Sequence, residues 1–84
     1  MAGMVTTTLN GAVAYGATSM VLTAVTNLKP GMAVVVGDGA PQDWVTVAQT
    51  YNGSTTVTID GQFAYAHATG AHAQWDGNAV PNIS

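Results

Sequence analysis

The chain has 84 residues, a net charge of −3, 48% hydrophobic residues and only 6% charged ones, where an ordinary soluble domain carries about 25% charged residues. That length allows one domain. A single cation, Lys29, excludes the clustered Lys/Arg that a nucleic-acid backbone or a polybasic membrane contact requires, and the apolar content argues against disorder.

The chain contains no cysteine, so disulfides and thiolate metal sites are absent. Met1-Ala2-Gly3-Met4 lacks the basic and apolar regions of a secretory signal. The longest aliphatic run, Met32–Val36, is far short of the roughly 20 residues that span a bilayer. The expectation is a soluble chain made in the cytosol. Domains below about 80 residues commonly need a disulfide, a metal or a partner for stability. Here a partner remains, and a surface of Thr, Ala, Asn and Gln costs less to desolvate than an ionised one.

No stretch holds a helical period. Thr and Val favour strands because a branched Cβ packs well on a pleated surface. Turn signals recur at Asn10-Gly11, Gly37-Asp38-Gly39, Asn52-Gly53, Asp60-Gly61 and Asp76-Gly77. Short β-rich stretches between such signals predict an all-β chain, a small antiparallel barrel or sandwich of about five to seven short strands with irregular termini. Residues 1–84 form a single domain in this reading.

In chain order, Val5–Leu9 is a first strand or part of an extended arm over residues 1–10. Ser19–Val25 alternates, with Met20 and Leu22 on one face. Pro30-Gly31 suits the centre of a type II turn. Met32–Val36 follows, with Met32, Val34 and Val36 on one side; its unbroken aliphatic run makes Val35 a second buried face or an oligomer contact. Gly37–Gln42 is a loop. Trp44–Gln49 and Thr55–Ile59 form a hairpin with Val45, Val47, Val57 and Ile59 inward. Opposed residues share a face, so Val47 is expected opposite Val57 and Val45 opposite Ile59. That register calls for a three-residue loop, Tyr51-Asn52-Gly53, with Gly53 at the left-handed position of a bulge. A last strand spans about Ala71–Trp75, and residues 76–84 form an irregular tail.

The chemistry-bearing residues are sparse. His67 and His72 are five apart, which places them on opposite faces of a strand. A zinc pair needs convergence and a third ligand, so local hydrogen bonding is the expected role of both. Asp38, Asp60 and Asp76 each precede Gly, where a carboxylate bonds its own backbone in a turn. Ser19 and Ser54 lack a nucleophile elbow, and the lone lysine belongs to no phosphate-binding loop. No catalytic set, metal or cofactor is expected. Most aromatics are assigned to the core. Trp44 is the exception: it precedes inward Val45, so alternation points it outward as a protein–protein contact.

Read together, Gly16-Ala17-Thr18-Ser19-Met20-Val21-Leu22, Leu28-x-x-Gly31-Met32-Ala33-Val34-Val35-Val36-Gly37, Trp44-Val45-Thr46-Val47, Thr55-Thr56-Val57-Thr58-Ile59 and Phe63–Ala71 resemble a small β-barrel module of tailed-bacteriophage virion proteins. A free-standing chain of this length is most similar to capsid decoration (head-stabilising) proteins. The resemblance implies a protein made in the host cytoplasm that sits on the virion surface. Its partner would be the major capsid protein, bound as a homo-oligomer, often a trimer, with no nucleic acid or membrane bound and no catalysis. The candidate interface residues are Trp44, Val35 and the arm residues Thr6, Thr7 and Thr8, the arm adding a strand to a neighbour's sheet. The alternatives are a carbohydrate-binding or adhesin module, with Trp44 or Trp75 stacking on sugar, and a tail or neck protein.

Overall fold

Period-two alternation of apolar and polar residues produces strands buried on one face, and six of them form here. The computed structural model describes residues 4–39 and 41–77. The strands are β1 (Met4–Thr8), β2 (Ser19–Val21), β3 (Ala33–Val36), β4 (Asp43–Val47), β5 (Thr56–Asp60) and β6 (His72–Asp76). They form one antiparallel sheet in the order β1-β6-β3-β4-β5-β2. The fold is all-β. The sheet curls until its two edges touch at the bridge Leu9↔Leu22, where the Asn10 N–H donates to Val21 O and the Thr23 N–H to Thr8 O. Contact at one bridge leaves the sheet short of a closed barrel.

The concave side holds the core. Met20, Leu22, Met32, Val34, Val36, Val45, Val47, Val57 and Ile59 are all buried, the faces that alternation assigns them. Phe63 is fully buried from a loop segment, and Trp75 is buried with its indole N–H donating to Thr26 O at 3.1 Å. Trp75 is therefore a core residue and is not available to stack on a ligand. The Met32 N–H donates to Lys29 O, and Gly31 has φ 86°. Pro30-Gly31 thus occupies the centre of a turn that needs a left-handed residue at its second central position, as a type II turn does.

Three expectations are corrected or narrowed. The β4–β5 register is Val47↔Ile59 and Thr46↔Asp60, two residues from the predicted one. A shift of two keeps every side chain on its face, so burial does not distinguish the registers; the connection does. Ala48–Tyr51 closes a turn through the Tyr51 N–H and Ala48 O. Tyr51 turns inward with its hydroxyl donating to Ser54 O at 2.6 Å, and the Asn52 carboxamide accepts the Ser54 N–H. Burial of Tyr51 makes a longer connection than the three-residue loop. Second, of the two alternatives for the N-terminal segment, residues 4–8 take the strand and not the arm: they pair along their whole length with β6 of the same chain, from Met4↔Asp76 to Thr8↔His72. Third, Asp76 belongs to β6 and not to the tail. Gly77 follows as a buried turn residue, and residues 78–84 of the expected tail lie outside the described residues, as do residues 1–3 of the expected arm.

Candidate functional site

The convex face of the sheet collects the outward residues of each strand. The pairings Trp44↔Val35, Val35↔Gln74 and Gln74↔Thr6 place four side chains in one cross-strand row. Three of them, Trp44, Val35 and Thr6, were singled out from sequence. Trp44 is 75% exposed, a large apolar area left in water. Beside it runs a groove of about 490 Å³ whose lining includes Met4, Val35, Gln42, Trp44, Gln74 and Asp76. Met4 is a second exposed apolar side chain there. Gln42, Gln74 and Met4 were not picked out from sequence. The parity of the last strand was a usable signal for Gln74, since Ala73 and Trp75 on either side of it are apolar and inward.

The other two sequence candidates behave differently. Thr7 is buried, and its hydroxyl accepts the Ala24 N–H at 3.1 Å. Odd residues of β1 point inward, so Thr7 cannot be a surface contact. The Thr8 hydroxyl is engaged with that of Thr23 at 3.0 Å, tying the two sheet edges together. Of the three threonines, Thr6 alone is exposed.

Trp44 is held outward by its neighbour. Asp43, the first residue of β4, is buried and faces the interior. Its Oδ1 accepts the Ala64 N–H at 3.0 Å, and its Oδ2 accepts the Tyr65 N–H at 3.1 Å and lies 2.8 Å from His67 Nε2. Burial raises the Asp43 pKa, but the hydrogen bonds from His67, Ala64 and Tyr65 outweigh it, and the net shift is downward. The carboxylate is therefore ionised and acts only as an acceptor, so His67 Nε2 must carry the proton and donate it. The Phe63 ring meets the His67 ring edge-on at 5.9 Å. Asp43 thus clamps the 63–67 segment to the start of β4, and alternation then fixes Trp44 on the convex face.

A second aspartate–histidine pair stands nearby in solvent. Asp38 Oδ1 lies 2.5 Å from His72 Nδ1 and also accepts the His72 N–H. The hydrogen bond from His72 is the main cause of a lowered Asp38 pKa. The expectation of local bonding is therefore corrected for both histidines and for Asp38. Each histidine bonds an aspartate 24 or 34 residues away, and the two pairs pin the ends of the loop between β3 and β4. Among the described residues, no three His, Cys, Asp or Glu side chains converge as a metal site.

Comparison with protein-family models, with curated proteins and with solved structures gave no match.

Proposed function

We propose that this chain is a non-enzymatic structural module that docks on the outer surface of a bacteriophage capsid through its convex sheet face and adds to the cohesion of the shell. One observation carries the reading: Trp44, 75% exposed, ends a cross-strand row that contains no charge, on a backbone fixed by the Asp43 clamp. Exposed, rigid tryptophans flanked by uncharged side chains are the anchors of protein interfaces. The choice of a capsid as the partner rests on the resemblance in the ordered strand motifs. Many copies on a repeating shell would need only modest affinity each, because a lattice multiplies weak contacts. The test is purification of intact particles from the producing host. Stoichiometric presence of the chain on the particle surface is expected, and its absence from the particle would end the reading.

A second reading is favoured by one feature of the same groove. Trp44 shares its groove with the carboxamide residues Gln42 and Gln74, an apolar platform with hydrogen-bonding groups in the same groove, which suits a sugar ring. Binding of the isolated chain to a glycan array, lost on Trp44→Ala, would favour this reading over the capsid.

A further inference from the structure

We propose that the chain pairs with a second copy of itself through the free edge of β1, antiparallel and about a two-fold axis at Val5. The inference deepens the docking reading above, since it doubles the convex face.

The backbone parity of β1 follows from its neighbours. The Leu9 N–H donates to Ala71 O, whereas Thr8 O and the Asn10 N–H face Thr23 and Val21. Odd residues of this segment therefore direct their backbone groups to β6, and even residues direct theirs away from it. The Thr8 O is taken by the Thr23 N–H, and the two hydroxyls meet. The chain then leaves the edge: the next N–H, of Ala24, turns to the Thr7 hydroxyl. Beyond that point the outward N–H and C=O groups of Met4 and Thr6 have no described partner. The opposite edge is different. β2 is three residues long and its Val21 O is already taken by Asn10.

Sheet edges are usually blunted by a lysine, a proline, a bulge or an inward charge. β1, Met4-Val5-Thr6-Thr7-Thr8, has none of these. Its open groups are also self-complementary. With the axis at Val5, Met4 of one copy pairs with Thr6 of the other, and Thr6 with Met4. The Met4 and Thr6 groups then exchange four backbone hydrogen bonds, and the exposed Met4 side chain comes to lie beside a Thr6 methyl. No like charges meet. The nearest acids, the two Asp76 residues, stand three strand spacings apart, about 14 Å, which exceeds the screening length of about 8 Å at physiological salt. The paired sheets would carry two Trp44 side chains on one continuous convex face, seven strand spacings or about 34 Å apart along the sheet. Such a dimer could engage a repeating surface at two points.

The oligomeric state of the full chain, free of any particle, tests this directly by sedimentation velocity. The expected result is a concentration-dependent dimer with a dissociation constant of about 100 μM or tighter, the weak end of specific association. Thr6→Pro deletes an edge-facing N–H while sparing the β6 ladder, and Thr6→Lys places a charge beside the axis. Each should weaken dimerisation about tenfold or more, two hydrogen bonds per dimer being lost in the first case. In the cysteine-free chain, Val5→Cys places two sulfurs across the axis, where the Cα atoms of a non-hydrogen-bonded pair lie about 4.5 Å apart, within disulfide range. It should form a disulfide-linked dimer on mild oxidation, while Thr58→Cys on the far strand β5 should not. A chain that stays monomeric to about 1 mM overturns the proposal. So does a trimer, or a dimer that ignores the Thr6 substitutions and leaves Val5→Cys uncrosslinked. Loss of particle binding with dimerisation intact would count against the docking reading and leave this one standing.

Discussion

Replacing Asp43 with alanine removes the acceptor of three hydrogen bonds: the Ala64 N–H, the Tyr65 N–H and His67 Nε2. His67 and Asp43 are both buried, so water does not readily take over. Removing one member of a buried, hydrogen-bonded pair costs about 3–5 kcal/mol. Total stability, at roughly 0.05–0.15 kcal/mol per residue, is about 4–13 kcal/mol for a chain of this length. Asp43→Ala should therefore take a quarter of the stability at the least and unfold the protein at worst. At about 4–8 °C per kcal/mol for a domain of this size, the melting temperature should fall by at least about 12 °C. Asp43→Asn keeps one acceptor oxygen and should lose less, about 1–3 kcal/mol for a donor left unpaired. Urea unfolding followed by the fluorescence of buried Trp75 measures both. The pH dependence has a definite sign. The Asp43 pKa is lower in the folded state than in the unfolded one, so the unfolded chain binds more protons in the interval between the two. The stability from this group is complete above the ordinary carboxylate pKa and is lost as pH falls through the folded value. The Asn variant should lack that part of the acid transition. An Asp43→Ala protein within about 0.5 kcal/mol of the parent, the range of an ordinary surface change, would refute the clamp.

Gly37 has φ 126°, and a Cβ there would come 2.8 Å from Pro41 O and 3.3 Å from the His67 ring; Gly37→Ala should therefore destabilise by about 1–3 kcal/mol in the same urea assay. Burial raises the Tyr51 pKa, so the folded state holds the phenol proton more tightly, and stability should fall as pH rises beyond the ordinary tyrosine value. Tyr51→Phe should remove that alkaline loss in pH-dependent thermal melts, and in return lose about 0.5–1.5 kcal/mol for the missing bond to Ser54 O. Trp44→Ala should leave the melting temperature nearly unchanged, because so exposed a side chain contributes little to the core.

What could be read from the sequence was set by parity. Met32 just before β3 with Val34 and Val36 on it, Val45 and Val47 on β4, and Val57 and Ile59 on β5 alternate strictly, and each is buried. The same parity placed Trp44 outward, and Pro30-Gly31 carried its turn in two residues. Parity does not say which strands are neighbours. The β1–β6 pairing joins the two ends of the described chain, and nothing local in Met4–Thr8 marks its partner. Register escaped for a related reason: Val47 opposite Val57 and Val47 opposite Ile59 bury the same faces, and the choice between them lay in the inward turn of Tyr51. Asp43 was the largest omission. Its carboxylate bonds residues 21, 22 and 24 positions away, whereas sequence signals for aspartate concern only the next few backbone groups. A buried clamp and a turn-forming residue look alike in one sequence. They differ only once the 63–67 segment is folded beside β4.

The docking claim is tested most directly by a binding isotherm on purified particles lacking the chain, comparing the parent protein with Trp44→Ala at equal thermal stability. Saturable binding of the parent and a loss of about 2 kcal/mol or more for Trp44→Ala, roughly thirtyfold in affinity, is the expected result for an interface anchor. Equal binding of the two proteins, or none by either, would contradict it.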